Sequence, residues 1–135
     1  MVKIITGKKG SGKTKVLIDM VNSALAVTKG DVVCIEKGVG LRFDVKHSVR
    51  LINTNEYLVF DAEALYGFVA GILASNHDVT DLFIDGAFKI SNNDIAAFEA
   101  FLKEVDELTG KLEVNVVMTS SIPVEEASET VKKYL

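Results

Sequence analysis

At 135 residues, 48% apolar and 25% charged, the chain is large enough for a core of its own, and nothing in it suggests disorder. A net charge of −4 and a pI of about 5.2 argue against a nucleic-acid binder, which needs a basic face. The single cysteine, Cys34, excludes an internal disulfide and a zinc ribbon, and the longest apolar stretch, roughly 68–74, is far short of the ~20 residues of a membrane span.

Val2–Thr6 is short, β-rich and closed by Gly7, so it reads as a buried strand. It starts at once, without the charged region or cleavage site of a signal peptide, and the cytoplasm is the natural reading. From Lys13 the pattern turns helical, with Val16, Leu17, Met20, Val21 and Leu25 at three- and four-residue spacing and Gly30 placed as the stop. Asp31–Glu36 is a second apolar strand. Residues 37–55 contain Gly38 and Gly40 and read as a loop, within which 48–53 could form a further strand. Ala62–Ser75 reads as a helix with Asp61 as N-cap. Residues 82–85 (LFID) form a short buried strand ended by Asp-Gly. Ser91 and Asp94 have capping-box spacing before a helix whose Ile95, Phe98, Phe101, Leu102, Val105 and Leu108 share one face, and Gly110 would end it. Residues 112–119 form another strand, and a last helix follows Pro123, with Glu125 and Glu126 in its first turn and Lys132 and Lys133 in its last, complementing the helix dipole. Strands alternating with amphipathic helices predict one α/β domain over residues 1–135, a mostly parallel sheet of about four strands with helices on both faces in three layers.

Residues 7–14 read GKKGSGKT, and Gly7-x-x-x-x-Gly12-Lys13-Thr14 sits where a strand gives way to a helix. Glycines at this spacing let successive backbone N–H groups converge on phosphate oxygens, and the helix N-terminus adds partial positive charge. Gly7, Lys8, Lys9, Gly10, Ser11, Gly12, Lys13, Thr14 and Lys15 are the candidate nucleotide-binding residues. Lys8, Lys9, Lys13 and Lys15 are the one strongly positive cluster, suited to a small polyanion. Lys13 can reach the β- and γ-phosphates, and the Thr14 hydroxyl can ligate Mg²⁺.

Here the chain resembles the P-loop NTPase superfamily, specifically at residues 7–14 and over the whole domain at the level of strand order. The resemblance implies binding of a nucleoside triphosphate, most often ATP, with Mg²⁺. The superfamily's second motif is an apolar strand ending in aspartate, and Asp85 matches it; a carboxylate there holds Mg²⁺ through its water shell and bonds the Thr14 hydroxyl. The plainer alternative is that Asp85 and Gly86 only make a turn.

Many relatives carry a water-activating glutamate directly after that aspartate, and here the place is taken by Gly86. The run IDGAF is similar to a segment of thymidine kinases with its glutamate missing, which counts against a nucleoside kinase. RecA-like ATPases instead carry the glutamate at the end of the strand after the first helix, where this chain has Glu36. In a RecA-like order that strand lies beyond the aspartate-bearing one, and the alternative for Glu36 is a solvated loop residue paired with Lys37. Thr119, Ser120 and Ser121 end the strand next to the cradle strand, where relatives often place a γ-phosphate sensor; equally, these hydroxyls cap the helix after Pro123.

Thr28-Lys29-Gly30-Asp31 fits the guanine signature of small GTPases but ends the first helix instead of following a late strand, so it does not support guanine specificity. The only two arginines, Arg42 and Arg50, could serve as an arginine finger across a subunit boundary or simply be solvated. His47 and His77 have no partner at metal-ligand spacing, Cys34 suits a buried apolar site, and Phe98 and Phe101 suit the core. The expectation is a small RecA-like Mg²⁺–ATP-binding domain: a slow or partner-stimulated ATPase, catalytic residues Lys13 and Glu36. Behind it stand a non-hydrolysing nucleotide switch or assembly subunit, then a small-molecule kinase. Self-association or a protein partner could complete so small a domain.

Overall fold

The computed structural model describes residues 1–135. Five strands, β1 (Val2–Thr6), β2 (Asp31–Glu36), β3 (Arg50–Asn53), β4 (Val79–Ile84) and β5 (Asn115–Ser120), form one sheet in the order β1-β5-β4-β2-β3. Every neighbouring pair is parallel. The helices are α1 (Lys13–Val27), α2 (Ala62–Ser75), α3 (Ala87–Ile90), α4 (Ile95–Leu112) and α5 (Glu129–Lys132). None is long and apolar enough to cross a membrane.

The strand order explains the layering. The chain crosses from β1 at one edge to β2 and β3 at the other, then returns through β4 and β5. Crossovers of one hand that travel in opposite directions lie on opposite faces of a sheet. Thus Val32 and Cys34 of β2 pack with Leu17 and Val21 of α1, while Val33 and Ile35 join α2 and α4 on the other side. The α2–α4 core has 26 buried residues and the α1 core only 8, so the α1 face is the thinner one. Residues 37–49 help to close it. Leu41, Val45 and Val49 bury beside α1, and Asn22 holds the loop through Asp44 O and Lys46 N, at 3.1 and 3.2 Å.

Several expectations are corrected. The sheet has five strands where about four were expected, because residues 50–53, within the 48–53 stretch read as a possible strand, do form β3. Asp94 alone caps α4, accepting from Ala97 N, while Ser91 ends α3 and turns its hydroxyl back to Ala87 O. Gly110 lies inside α4, which continues to Leu112 and is capped by Glu113 at φ 57°. Gly30 does not stop α1, which ends at Val27 with Thr28 as its cap; a Cβ at Gly30 would strike Asp78 O and Thr80. The helix after Pro123 is split into a 3-10 turn, Val124–Glu126, and α5, capped by Ser128. Val16 and Ile95, counted on buried faces, are exposed. Asp61 does cap α2, accepting from Ala64 N at 2.8 Å, and Cys34, Phe98 and Phe101 are core residues.

Candidate functional site at the carboxyl ends of the strands

In an all-parallel sheet every carboxyl end opens on the same side, and a crevice forms where successive connections diverge. Here that point lies between β1, whose connection runs toward β2, and β4, whose connection returns toward β1. Residues 7–12 leave β1 at this crevice and lead straight into α1. Gly10 and Gly12 adopt φ of 84° and 88°, a left-handed backbone that costs other residues about 1–2 kcal/mol. A Cβ at Gly7 would run into the Ser11 side chain. Two of the motif glycines are thus favoured by backbone angle, and at the third a side chain would displace only the Ser11 hydroxyl. No side chain caps the N-terminus of α1, which leaves its first N–H groups without a side-chain acceptor. Lys13 Nζ folds back on the loop and donates to Lys8 O at 3.3 Å. Lys8, Lys9, Ser11 and Lys15 are exposed around it.

Alternation along the strands brings the remaining groups to α1. Ile35 pairs with Ile84, and Ile84 with Met118, so the next residues, Glu36, Asp85 and Thr119, form one row across β2, β4 and β5. Cys34, Phe83 and Val117, two residues earlier, pack in the α1 core, so this row points to the α1 face too. Asp85 Oδ1 then accepts from Thr14 Oγ1 at 3.2 Å and from Thr119 Oγ1 at 2.8 Å. Gly86 N donates to Thr119 Oγ1 at 2.7 Å, so that hydroxyl is fixed as acceptor and donor at once. Three elements far apart in sequence meet at one carboxylate. Hard oxygens of a hydroxyl and a carboxylate, side by side at the loop, suit Mg²⁺, which prefers oxygen and keeps several waters.

Ser120 belongs to the framework instead. Its hydroxyl accepts from Ile122 N at 3.3 Å and its carbonyl accepts from Gly7 N at 3.3 Å, so it ties the β5 turn to the start of the glycine loop.

Glu36 is 4% exposed, which removes the solvated-loop alternative. Both carboxylate oxygens accept from Leu41 N, at 3.2 and 3.3 Å, closing the turn that follows β2. Burial pushes its pKa up from 4.5, and the neighbouring Asp85 adds to the rise, against the lowering effect of the Leu41 and Gly40 N–H groups. Burial, with Asp85 and Glu36 nearby, also drives the Cys34 thiol up to about 12. Glu36 therefore stands in the row of Asp85 with a raised proton affinity, yet its hydrogen bonds serve its own loop.

No protein-family model matches this sequence, and no curated protein matches it either. The site stands on its geometry. Gly86 has φ 76° and caps α3, a left-handed backbone that a glycine adopts without the strain a side chain would meet there. The Thr28–Asp31 segment lies at the amino end of β2, the opposite end of the sheet, where Thr28 bonds Thr80 and Asp31 bonds Asn76. His47 and His77 are exposed, and no cluster of three metal-ligating side chains occurs. Sequence reasoning missed the role of Thr119 as the clamp on Asp85; the parallel pairing of β5 with both β1 and β4 brings it there, and pairing has no local signal.

Proposed function

We propose that this protein binds a Mg²⁺–nucleoside triphosphate, ATP by the resemblance to P-loop NTPases, and hydrolyses it slowly unless a partner completes the site. The observation that carries the reading is the Thr14–Asp85–Thr119 bridge beneath a left-handed glycine loop at a helix N-terminus. The loop N–H groups and Lys13 would take the phosphates, and Thr14 with Asp85 would hold Mg²⁺, which supplies charge neutralisation there. Thr119, locked by Gly86 N and Asp85, orients the carboxylate and is the group closest to the sensor role. Glu36 is the one buried carboxylate in the row and the candidate to orient water. Its raised pKa moves it toward the range useful to a general base.

A second reading, a nucleotide switch that scarcely hydrolyses, is favoured by the engagement of Glu36 with Leu41 and by the left-handed Gly86. Calorimetric titration with Mg²⁺–ATP and a phosphate-release assay on wild type and Glu36→Gln separate the two. The first reading expects tight binding in both proteins and turnover only in wild type. Equal turnover in Glu36→Gln removes the base assignment, and no turnover in either leaves the switch. Absence of ATP binding to wild type defeats both.

A further inference from the structure

β1 and β3 are the two edges of the sheet, and only β1 is covered: Ile4 N donates to Tyr134 O of the C-terminal segment at 2.7 Å. β3 pairs with β2 on its inner side and with no strand on its outer side. An uncovered strand edge is a template for another strand. The chain around this edge is also unusually apolar for a free surface. The exposed aromatic side chains of the protein, Phe43, Tyr57 and Phe60, all lie in the segments that flank β3, and Leu58 between the last two is 73% exposed.

Charge runs along this edge in a definite order. Arg50 begins β3, and Glu56 lies just beyond its end at Asn53, in the turn Thr54–Tyr57. Both are exposed, and neither has an ion-pair partner: the ion pairs of the chain are Glu107–Lys111 and Glu129–Lys132, on α4 and α5. Arg50, Glu56 and Tyr57 line one cavity of about 160 Å³ with Glu36, Arg42 and Asn53. The neighbouring cavity of about 560 Å³ likewise holds Asp31 and Arg50 without an ion pair between them. An edge that carries both signs of charge fits neither a uniformly acidic nor a uniformly basic partner. It fits itself, provided that the cationic end of one strand meets the acidic end of another.

We infer that two copies of this chain pair through their β3 edges, antiparallel and about a two-fold axis. In such a contact the same patch faces itself, so every residue contact occurs twice. Antiparallel pairing sets the start of each strand opposite the end of the other. Arg50 of each copy is then brought to the end where the other copy carries Glu56, and symmetry makes two ion pairs. Parallel pairing would set Arg50 against Arg50, and like charges directly opposite are destabilising. Main-chain hydrogen bonds over 50–53 join the two sheets, and they replace the contact that the Arg50 guanidinium makes with the Leu51 carbonyl, 3.3 Å from Nη1. Four residues supply few such bonds, so the exposed aromatic groups beside the strand supply the apolar part that an interface of this kind needs. The glycine loop follows β1, at the opposite edge of the sheet, so the pairing stands whether or not nucleotide binds.

The test is sedimentation equilibrium of the whole chain over a range of concentrations, for wild type, Arg50→Glu, Glu56→Arg and the two changes combined. Amide hydrogen exchange over residues 50–53 of the wild type is followed at high and low concentration. The expected result is a reversible wild-type dimer whose dissociation constant rises by about tenfold or more in each single variant, because like charges then meet twice. The combined variant should regain the wild-type association, since the pair is exchanged and not removed. That recovery also shows that the single changes act on the contact and not on folding. Exchange at the β3 amides should slow as the dimer fills. A wild type that stays monomeric at every concentration, or a dimer indifferent to both single changes, overturns the inference. So does a combined variant as weak as the single ones, or exchange at 50–53 that does not depend on concentration.

Discussion

Asp85 and Glu36 end adjacent strands, in the same row and on the same face of one sheet, yet they hold the structure in different ways. Asp85 accepts from Thr14 and Thr119, residues 71 and 34 positions away, and binds together the first turn of α1, β4 and β5. Glu36 accepts from Leu41, 5 positions away, and closes only the turn that follows it. A carboxylate that gathers hydroxyls from distant elements is built around the crevice; one that satisfies its own loop is first of all part of the scaffold. The teaching is that strand-end position nominates a residue, while the separation of its hydrogen-bond partners tells which role it already fills.

The difference can be broken most strongly at the loop. Lys13→Ala is expected to weaken Mg²⁺–ATP binding by about a hundredfold, near 3 kcal/mol, in a titration with fluorescent nucleotide. Its urea midpoint should scarcely move, because Lys13 makes a single exposed bond to its own loop. At Glu36 the outcome reverses: Glu36→Ala strands the buried Leu41 N–H and should cost about 1–3 kcal/mol in urea unfolding.

Glu36→Gln keeps an acceptor for Leu41 and removes the titration. Burial raises the folded pKa of Glu36 above 4.5, so the folded protein holds this proton more tightly than the unfolded chain. The stabilisation is complete below the unfolded value and is lost as pH rises through the raised folded one. Wild-type urea midpoints should therefore carry a downward contribution across that window that the glutamine variant lacks. A variant that follows the wild-type curve would remove the burial argument.

Gly86→Glu puts a carboxylate directly after Asp85. At φ 76° it should destabilise the fold by about 1–2 kcal/mol without raising phosphate release. A gain in turnover would show that backbone strain is not what keeps glutamate out. The smallest effect belongs to Cys34, beneath both carboxylates. With its thiol raised to about 12, iodoacetamide at pH 8 should label it only once the chain is unfolded in urea.

Much of this was legible before any coordinates. GKKGSGKT, the capping Asp61, the aspartate after an apolar strand and the core face of α4 are local signals, and local sterics and periodicity wrote them. Less legible were the stops of α1 and α4, because Gly30 serves a close approach to Asp78 and Gly110 is a plain helical residue. The four-residue β3 was half hidden for a similar reason. Its partner β2 comes before a 13-residue loop, 37–49, whose apolar residues point at α1 instead of marking a strand or helix.

The sequence by itself determined an α/β chain with a glycine-rich turn before its first helix and an acid at the end of a later strand. Backbone angles, helical and strand periods and turn chemistry act over a few residues, so they can be read from a few residues. Only the tertiary structure decided that β5 lies between β1 and β4, that Thr119 therefore clamps Asp85, and that Glu36 turns to Leu41. It also left β3 with an open edge and two unpaired arginines. Strand order and edge exposure arise from how whole elements bury their faces against one another, and no stretch of residues encodes that alone.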